Sequence, residues 1–594
     1  MAVQFYITTL GCKVNQYESH SLLEAWQRHG WQAVSDPALA ALIVVNSCAV
    51  TARAVADVRS TVRRLRREAP DAAIWLTGCA AEAAREELKD LAEADAVLGQ
   101  DWKEALLRLP SVEVPKNGMQ ATFMDVCGEP TRGTPPGGQL RKGMFQSREE
   151  TPSPRILLQH LQPADERPGL PFPDFRISGY DRSRPVLKVQ DGCSHRCTYC
   201  IVPLTRGPSR SRPAEASLAE IRRLLDAGFR EITLSGINLR QYRHRLKQGP
   251  EHVDMAQESA ADAQRADRNA REAGIANIRA MVTGDADVGA KLAHTSAATM
   301  KGADFWALVE FLEKELAPEW AGTARFRISS LEPGQLDARA LDVLGTSRLV
   351  APQMHLSLQS GSPSVLQRMG RGHYNPATIA DFLQALGKHR PIFGLGADIL
   401  TGFPGETEAE FQETLDLCRR LSFSYAHVFP YSIRPGTKAA NMPGQLPQAV
   451  KKERAALLRQ VIQEKQQAFL RRIAAETVLH VVFEDRHYPF LQEGTGMAGK
   501  TAFAATDGGV EGTTGENTPS AEGGVFASAA GNSLPPVQQT PGSKHRSDAD
   551  GRLRGVCEYY ADCILVDGGE HIHSRSITPV SVIGLERGLL LVRP

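Results

Sequence analysis

Three short apolar runs near the start of the chain, QFYITTL (4–10), LIVVN (42–46) and AIWLT (73–77), each lead directly into a cysteine: TLGC12, VNSC48 and TGC79. Helical patterns lie between them. Short β-like runs alternating with helices predict a parallel sheet covered by helices. All strand carboxyl ends of such a sheet share one edge, where open α/β folds keep their ligands. Taken singly, Cys12, Cys48 and Cys79 each read as a small buried hydrophobe. At three equivalent strand ends they read as a three-thiolate site.

A second alternation begins at about residue 183. Its strand candidates are PVLKVQ (185–190), EITLS (231–235), RFRIS (325–329), MHLSL (354–358), LGADIL (395–400) and YAHVFPY (425–431). Six strands separated by helical patterns predict an open (β/α) barrel, with functional groups at the strand carboxyl ends. Those ends read DGC193, SGIN238, SSLEP333, LQSGS362, TGFPGE406 and SIRPGT437, all polar or rich in Gly and Pro. Towards the C-terminus, TVLHVVFED (477–485) and the run from Cys563 to Pro594 predict a small all-β module, preceded by a helical segment (448–473).

The expected division is an N-terminal α/β domain (1–126), a Pro/Gly-rich linker (127–182) and a barrel (183–445) with an insertion at about 243–303. A connecting helix (446–475) and a β module (476–594) follow, the latter with an insertion at about 493–553 whose Gly/Ser/Thr/Ala composition predicts disorder. A chain of 594 residues has room for these domains and for a core that needs no disulfides. Its 42% hydrophobic and 23% charged residues are ordinary for a globular protein. The start, MAVQFYITTLGC, lacks the basic and apolar regions of a secretory signal, and no run of about 18 apolar residues predicts a membrane span. A cytoplasmic location is therefore expected. A net charge of +1 leaves any nucleic-acid surface to local patches.

The loop 191-DGCSHRCTYC-200 holds three cysteines, Cys193, Cys197 and Cys200. A structural zinc site takes four protein ligands, a disulfide two, and an iron–sulfur cube held by protein alone four. Zinc completed by His195 is the competing reading, but His195 lies between the ligands, where the backbone must already turn. A [4Fe–4S] cube on three thiolates leaves one iron open to an external ligand. Clustered cysteines in a cytosolic chain read as metal ligands or catalytic groups before disulfides. Of the ten cysteines, Cys127 has no evident partner, Cys418 falls on the apolar side of a helix, and Cys557 and Cys563 read as packed.

The C-x3-C-x2-C spacing, with Tyr199 before its last cysteine, resembles the radical S-adenosylmethionine (SAM) signature. With TLGCKVNQYES (9–19), VVNSCAVTARA (44–54), LTGCAA (76–81), LSGINL (234–239), RISSLEP (327–333), HLSLQSGS (355–362), DILTGFPGE (398–406) and FPYSIRPGT (429–437), the chain resembles a radical SAM methylthiotransferase. The C-terminal module resembles the TRAM domain, an RNA-binding barrel. The implied fold is α/β, with a partial (β/α)6 radical SAM barrel and a small all-β TRAM-like barrel. TLGCKVNQYES is most similar to the branch acting on N6-threonylcarbamoyladenosine at adenosine-37 of tRNA. Branches acting on isopentenyladenosine or on a ribosomal-protein aspartate usually carry another residue pair after the first cysteine, and they remain the alternatives. A zinc-stabilised RNA-binding protein is the alternative of another class.

The resemblance implies two [4Fe–4S] clusters, one on Cys12, Cys48 and Cys79 and one on Cys193, Cys197 and Cys200. It implies SAM used twice, to methylate a cluster-held sulfur and to generate the radical that takes hydrogen from adenine C2. SAM contacts are expected from Tyr199, Ser235, Gly236, Ser329, Glu332, Gln359 and Asp398. Gly236 would allow close backbone approach, and Glu332 and Asp398 would pair with SAM charge or ribose; Ser and Asp after strands are also common helix caps. Arg206, Arg210 and Arg212 are expected at tRNA phosphates. Arg63, Arg64, Arg66 and Arg67 offer a second basic face, or a merely solvated one. An electron donor such as flavodoxin or ferredoxin is implied, and the sulfur source is left open. The chain departs from its relatives at Ala80 and after GINL, where Arg240-Gln241-Tyr242 leads into the first insertion.

Overall fold

In the N-terminal sheet, β1 (Gln4–Thr9), β3 (Leu42–Ser47) and β4 (Ala73–Gly78) form the centre, and the two-residue strands β2 (Gln32–Ala33) and β5 (Ala96–Val97) form its edges. The order is β2-β1-β3-β4-β5, and every pairing is parallel. The central strands are buried along nearly their whole length, as expected where helices cover both faces of a parallel sheet. One core holds Phe5, Trp26 and Trp75 on one side, and another holds Ile43, Val58 and Leu76 on the other. The computed structural model describes residues 2–109, 172–244, 304–476, 478–484, 552–569 and 572–594. Cys127, most of the expected linker and nearly all of both expected insertions lie outside the described residues.

Six strand segments form the barrel wall. β6 (Val186–Asp191), β8 (Glu231–Gly236) and β9 (Arg325–Ile328) pair in parallel, and β7 (Arg210–Ser211) adds an antiparallel edge to β6. β10 (Ser330–Leu331), β11 (Gln353–Gln359), β12 (Gly394–Thr401) and β13 (Phe423–Pro430) form a second parallel sheet. Ser329 joins β9 to β10, so the two sheets make one curved wall. β6 and β13 do not pair, which leaves the barrel open on that side.

Alternation along these strands decides what faces inward. Leu187, Val189, Ile232, Leu234, Phe326, Ile328, Met354, Leu356, Leu395, Ala397 and Val428 belong to the outer core under the helices. The intervening positions, which include Lys188, Glu231, Arg327, His355, Asp398, Tyr425 and His427, point the other way. A barrel that served only as scaffold would fill its interior with Val, Ile and Leu layers. This one has a polar lumen.

A closed barrel ends the chain: β14 (Leu479–Phe483), β15 (Arg554–Cys557), β16 (Asp562–Leu565), β17 (Ile577–Glu586) and β18 (Leu589–Arg593), in the order β14-β15-β16-β18-β17. Its core includes Cys557 and Cys563, and Cys418 is buried in the helix Glu408–Arg420, as expected for packed thiols. The turn between β15 and β16 seats on the amino end of the larger, open barrel. Arg325 donates to the His480 carbonyl (2.9 Å) and Arg327 to the Glu558 carbonyl (3.1 Å). Tyr560 lies tilted against Tyr425 with ring centroids 5.1 Å apart, and a side chain at Gly394 would strike the Tyr559 carbonyl. The β module thus floors the lumen.

Candidate active site

The first triad is built by strand register. Thr9 lies opposite Asn46, Asn46 opposite Thr77 and Ser47 opposite Gly78, so the next turns leave the sheet at one level. Cys12 caps the helix Lys13–Arg28 without a side-chain cap bond, and Cys79 opens the helix Cys79–Ala83. Gly11 has φ +144°, and a Cβ there would lie 2.9 Å from the Cys48 Cβ. Gly78 has φ +93°, and a Cβ there would strike the Ser47 backbone. Glycine before these two cysteines is therefore a steric requirement. Asn15 Nδ2 donates to the Ser47 carbonyl (2.8 Å), and Asn46 Nδ2 to the Asn15 carbonyl (3.0 Å), tying the edge together.

The three thiols feel one another's charge, as do Cys193, Cys197 and Cys200. Burial pushes the Cys48 and Cys200 thiols up to about 12. It also raises Cys12, against the opposing Arg206 charge. Cys12 nevertheless presents surface to solvent, so it lines a recess. Two thiol triads with protein on three sides suit ligation by thiolate to a group that replaces the lost solvation.

The second triad sits in one loop. The Cys193 amide donates to the Gly207 carbonyl (3.0 Å), Thr198 N to the Met369 carbonyl (2.9 Å) and Ala439 N to the Thr198 carbonyl (2.8 Å). Gly192 has φ +68°, and a Cβ there would meet the Pro208 carbonyl. Tyr199 packs beside Met369, Phe403 and Tyr431. Asn238 Nδ2 donates to Cys193 Sγ (3.7 Å). The His195 ring sits with Glu332 and His373 in a group whose ligand atoms lie within 4.8 Å of one another. Its Nδ1 faces Asn238 and Glu332, and its Nε2 faces Arg240, so both ring nitrogens are engaged.

The two triads share a buried charge network. Glu18, from the helix after Cys12, contacts Lys103, Lys188 (2.8 Å) and Arg206 (2.9 Å). Asp191, leading into the loop, contacts Lys188 and Arg206, each at 2.9 Å. Arg206 Nη2 also donates to Asn15 Oδ1 (2.6 Å). Burial alone would raise the Glu18 carboxyl, but Arg206, Lys103 and Lys188 hold it well below its usual range. The helix Val202–Arg206, which follows the loop, packs on the helix Cys79–Ala83, so the two triads lie on neighbouring elements. The Arg206 charge acts on Cys12 and Cys79, where it would balance thiolates.

These contacts bear on three expectations. Arg206 is buried in this network, and Arg212 is buried between Glu220 and Tyr17 Oη (2.6 Å), so both guanidinium groups are engaged by protein groups. Arg210 is half-buried on β7. Gly236 is required by protein packing, since a Cβ there would lie 2.9 Å from the Gln190 Cβ and 2.8 Å from Leu239 Cδ2. Glu332 and Asp398 are not free counter-charges. His373 Nε2 (2.6 Å), Arg371 (3.3 Å), His195 and Arg240 surround Glu332, and His355 Nε2 lies 3.1 Å from Asp398.

Other expected residues lie at the lumen's carboxyl end. Ser235 is buried there, and Ser329 Oγ is buried without a hydrogen-bond partner. Gln359 adopts φ +62° at a register shift in β11, a strained conformation for a non-glycine residue. An orphaned hydroxyl and a strained amide residue beside the loop fit a polar ligand such as SAM. Arg371, His373, Asn15, Glu18 and Lys188 were not anticipated. The lumen residues could have been found from period-2 alternation, as in H-L-S-L-Q (355–359), where every second residue is polar.

Residues 4–99 match the family described as Uncharacterized protein family UPF0004, and residues 187–418 match the Radical SAM superfamily. The Thermotoga maritima protein named threonylcarbamoyladenosine tRNA methylthiotransferase MtaB is 31% identical over 472 residues, 79% of this chain and 83% of the relative. Its Bacillus subtilis namesake is 30% identical over 446 residues, 75% and 77% of the two chains. A Chromobacterium violaceum protein named tRNA-2-methylthio-N(6)-dimethylallyladenosine synthase is also 30% identical, over 77% of this chain and 83% of the relative. Among solved structures, the Kitasatospora setae radical SAM methyltransferase TsrM superposes with a TM-score of 0.42 at 15% identity, covering 74% of this chain and 75% of that one.

Proposed function

The chain belongs to the radical SAM methylthiotransferase family, and from that premise we propose that it converts N6-threonylcarbamoyladenosine at position 37 of tRNA to the 2-methylthio derivative. The observation that carries this reading is the packing of the element after the loop triad on the element that opens with Cys79, with Arg206 bound both to Glu18 behind Cys12 and to Asp191 ahead of Cys193. The choice of branch rests on TLGCKVNQYES and on relatives bearing that name, because overall identity is the same for the isopentenyl-type relative.

In this reading Cys193, Cys197 and Cys200 hold the cluster that binds SAM, and Cys12, Cys48 and Cys79 hold a second one. Bound and reduced, these groups supply a 5′-deoxyadenosyl radical and a methylated sulfur, chemistry that belongs to the cofactors. The chain supplies position and charge. Ser235, Ser329 and Gln359 offer polar atoms to SAM, while Arg206 and Lys103 place buried positive charge by the N-terminal thiolates. Asn238 and the carbonyl of Gly207 hold the Cys193 end of the loop. Tyr425 and Tyr560 close the lumen floor against water.

An electron donor such as flavodoxin or ferredoxin and a separate sulfur source complete the requirements. Among the described residues no helix is long and apolar enough to cross a membrane. A tRNA substrate places the work in the cytoplasm. The test is anaerobic reconstitution with iron and sulfide, then incubation with SAM, reductant and modified tRNA. About eight irons per chain and 2-methylthio-N6-threonylcarbamoyladenosine on nucleoside analysis are expected. Zinc without sulfide, or product on isopentenyladenosine alone, would overturn the reading.

A further inference from the structure

The cations around the lumen are nearly all matched. Arg325 and Arg327 hold Glu231, Arg184 holds Glu484, Arg371 and Arg240 face Glu332, and Lys188, Lys103 and Arg206 share Glu18. Lys13 differs. It follows Cys12 directly, it is exposed, and among the described residues no carboxylate lies within ion-pair distance of its ammonium. Its Nζ sits 5.7 Å from the ring centroid of Tyr560. That ring lies 5.1 Å from the Tyr425 ring and 5.1 Å from the Arg327 guanidinium, both on lumen positions of the barrel wall. The Lys13 charge also acts on Asp398 and His427, but His355 already holds Asp398.

Lys13 is thus an unmatched cation that reaches from the N-terminal triad into the lumen, over a ring supplied by the C-terminal barrel. A lysine in water needs no partner, but one aimed into a lined cavity is complemented by an anion that arrives with the ligand. The threonylcarbamoyl group on N6 carries a carboxylate, and the isopentenyl group carries no charge. We propose that Lys13 binds the carboxylate of the threonylcarbamoyl side chain and selects this substrate over the isopentenyl one. The inference rests on the functional reading above and names the residue that executes its choice of branch. It also gives physical content to the residue pair after Cys12, which sequence resemblance could use only as a label.

The test uses reconstituted full-length protein and anticodon stem-loops carrying the threonylcarbamoyl group, its carboxylate methyl ester, or the isopentenyl group at adenosine-37. Wild type is expected to bind the free acid roughly tenfold or more tighter than the ester, the range for a charged hydrogen bond. Lys13→Met, checked for unchanged iron and sulfide content, should lose that preference, and Lys13→Arg should keep most of it. The acid–ester comparison on wild type needs no variant, so a folding failure cannot shelter the proposal. Product on threonylcarbamoyladenosine with equal binding of acid and ester would overturn the Lys13 assignment alone. Product only on isopentenyladenosine would overturn the functional reading and the assignment together.

Discussion

Cys193, Cys197 and Cys200 occupy eight residues of one loop, whereas Cys12, Cys48 and Cys79 come from the ends of three strands. The loop triad is placed within one local turn set by Gly192 and a bond to Gly207, with Met369 and Ala439 pinning Thr198 from distant segments. The strand triad exists only if the parallel sheet holds its register, since a slip would move one thiol to another level. Yet both lean on Arg206, which follows the loop in sequence and donates to Asn15 and Glu18 behind Cys12. Local and long-range construction therefore meet at one guanidinium.

The comparison breaks most completely at the ligands. Cys197→Ala should abolish SAM cleavage, whereas Cys48→Ala should retain cleavage while losing methylthio product. Each should keep about four of eight irons, read by iron assay, 5′-deoxyadenosine yield and nucleoside analysis. Equal loss of SAM cleavage in both variants would show that the triads do not divide the work.

Arg206→Met tests the shared support. It leaves Glu18 and Asp191 short of a buried partner, and removing one member of such a network costs about 3–5 kcal/mol. Denaturant unfolding of the apoprotein measures it, and a loss below about 1 kcal/mol would mean that Lys103 and Lys188 suffice.

The barrel's own network offers a pH readout. Burial alone would raise Glu231, but Arg325, Arg327 and Arg184 hold it at about 2 against an ordinary 4.5. A depressed carboxyl stabilises the fold above its unfolded pKa and loses that contribution as pH falls through the folded value. Apoprotein stability should therefore fall between about pH 4.5 and pH 2 by about 3 kcal/mol more in wild type than in Glu231→Gln. Parallel pH profiles would remove Glu231 from the account.

Glycine substitutions give the smallest effects and separate strain from collision. Gly207 has φ +67° with open space around a Cβ, so Gly207→Ala should cost only about 1 kcal/mol. Gly78→Ala adds a collision with the Ser47 backbone and should cost more, up to about 3 kcal/mol. Equal midpoints in thermal melts would mean that the strand edge relaxes more freely than its hydrogen bonds suggest.

Much of the fold was legible because its signals are local. The strands before Cys12, Cys48 and Cys79 are largely apolar, as burial on both faces favours, and the barrel strands stop at turn residues. The loop triad was legible from spacing alone. Which arginines face RNA was not, because Arg206 and Arg212 look like any basic residues until Glu18, Glu220 and Tyr17 arrive from distant segments. For Gly236 the packing against Gln190 and Leu239 was likewise hidden, since both come from outside its strand.

The sequence by itself determined the element types and the two sets of three cysteines, because strand periodicity and cysteine spacing act over a few residues. The tertiary structure decided how charge is shared. It buried Arg206 beneath both triads, surrounded Glu332 with cations, and left Lys13 unmatched over Tyr560, a residue more than five hundred positions away. Electrostatic partnership depends on distance and solvation in three dimensions, and neither is written in the order of the residues.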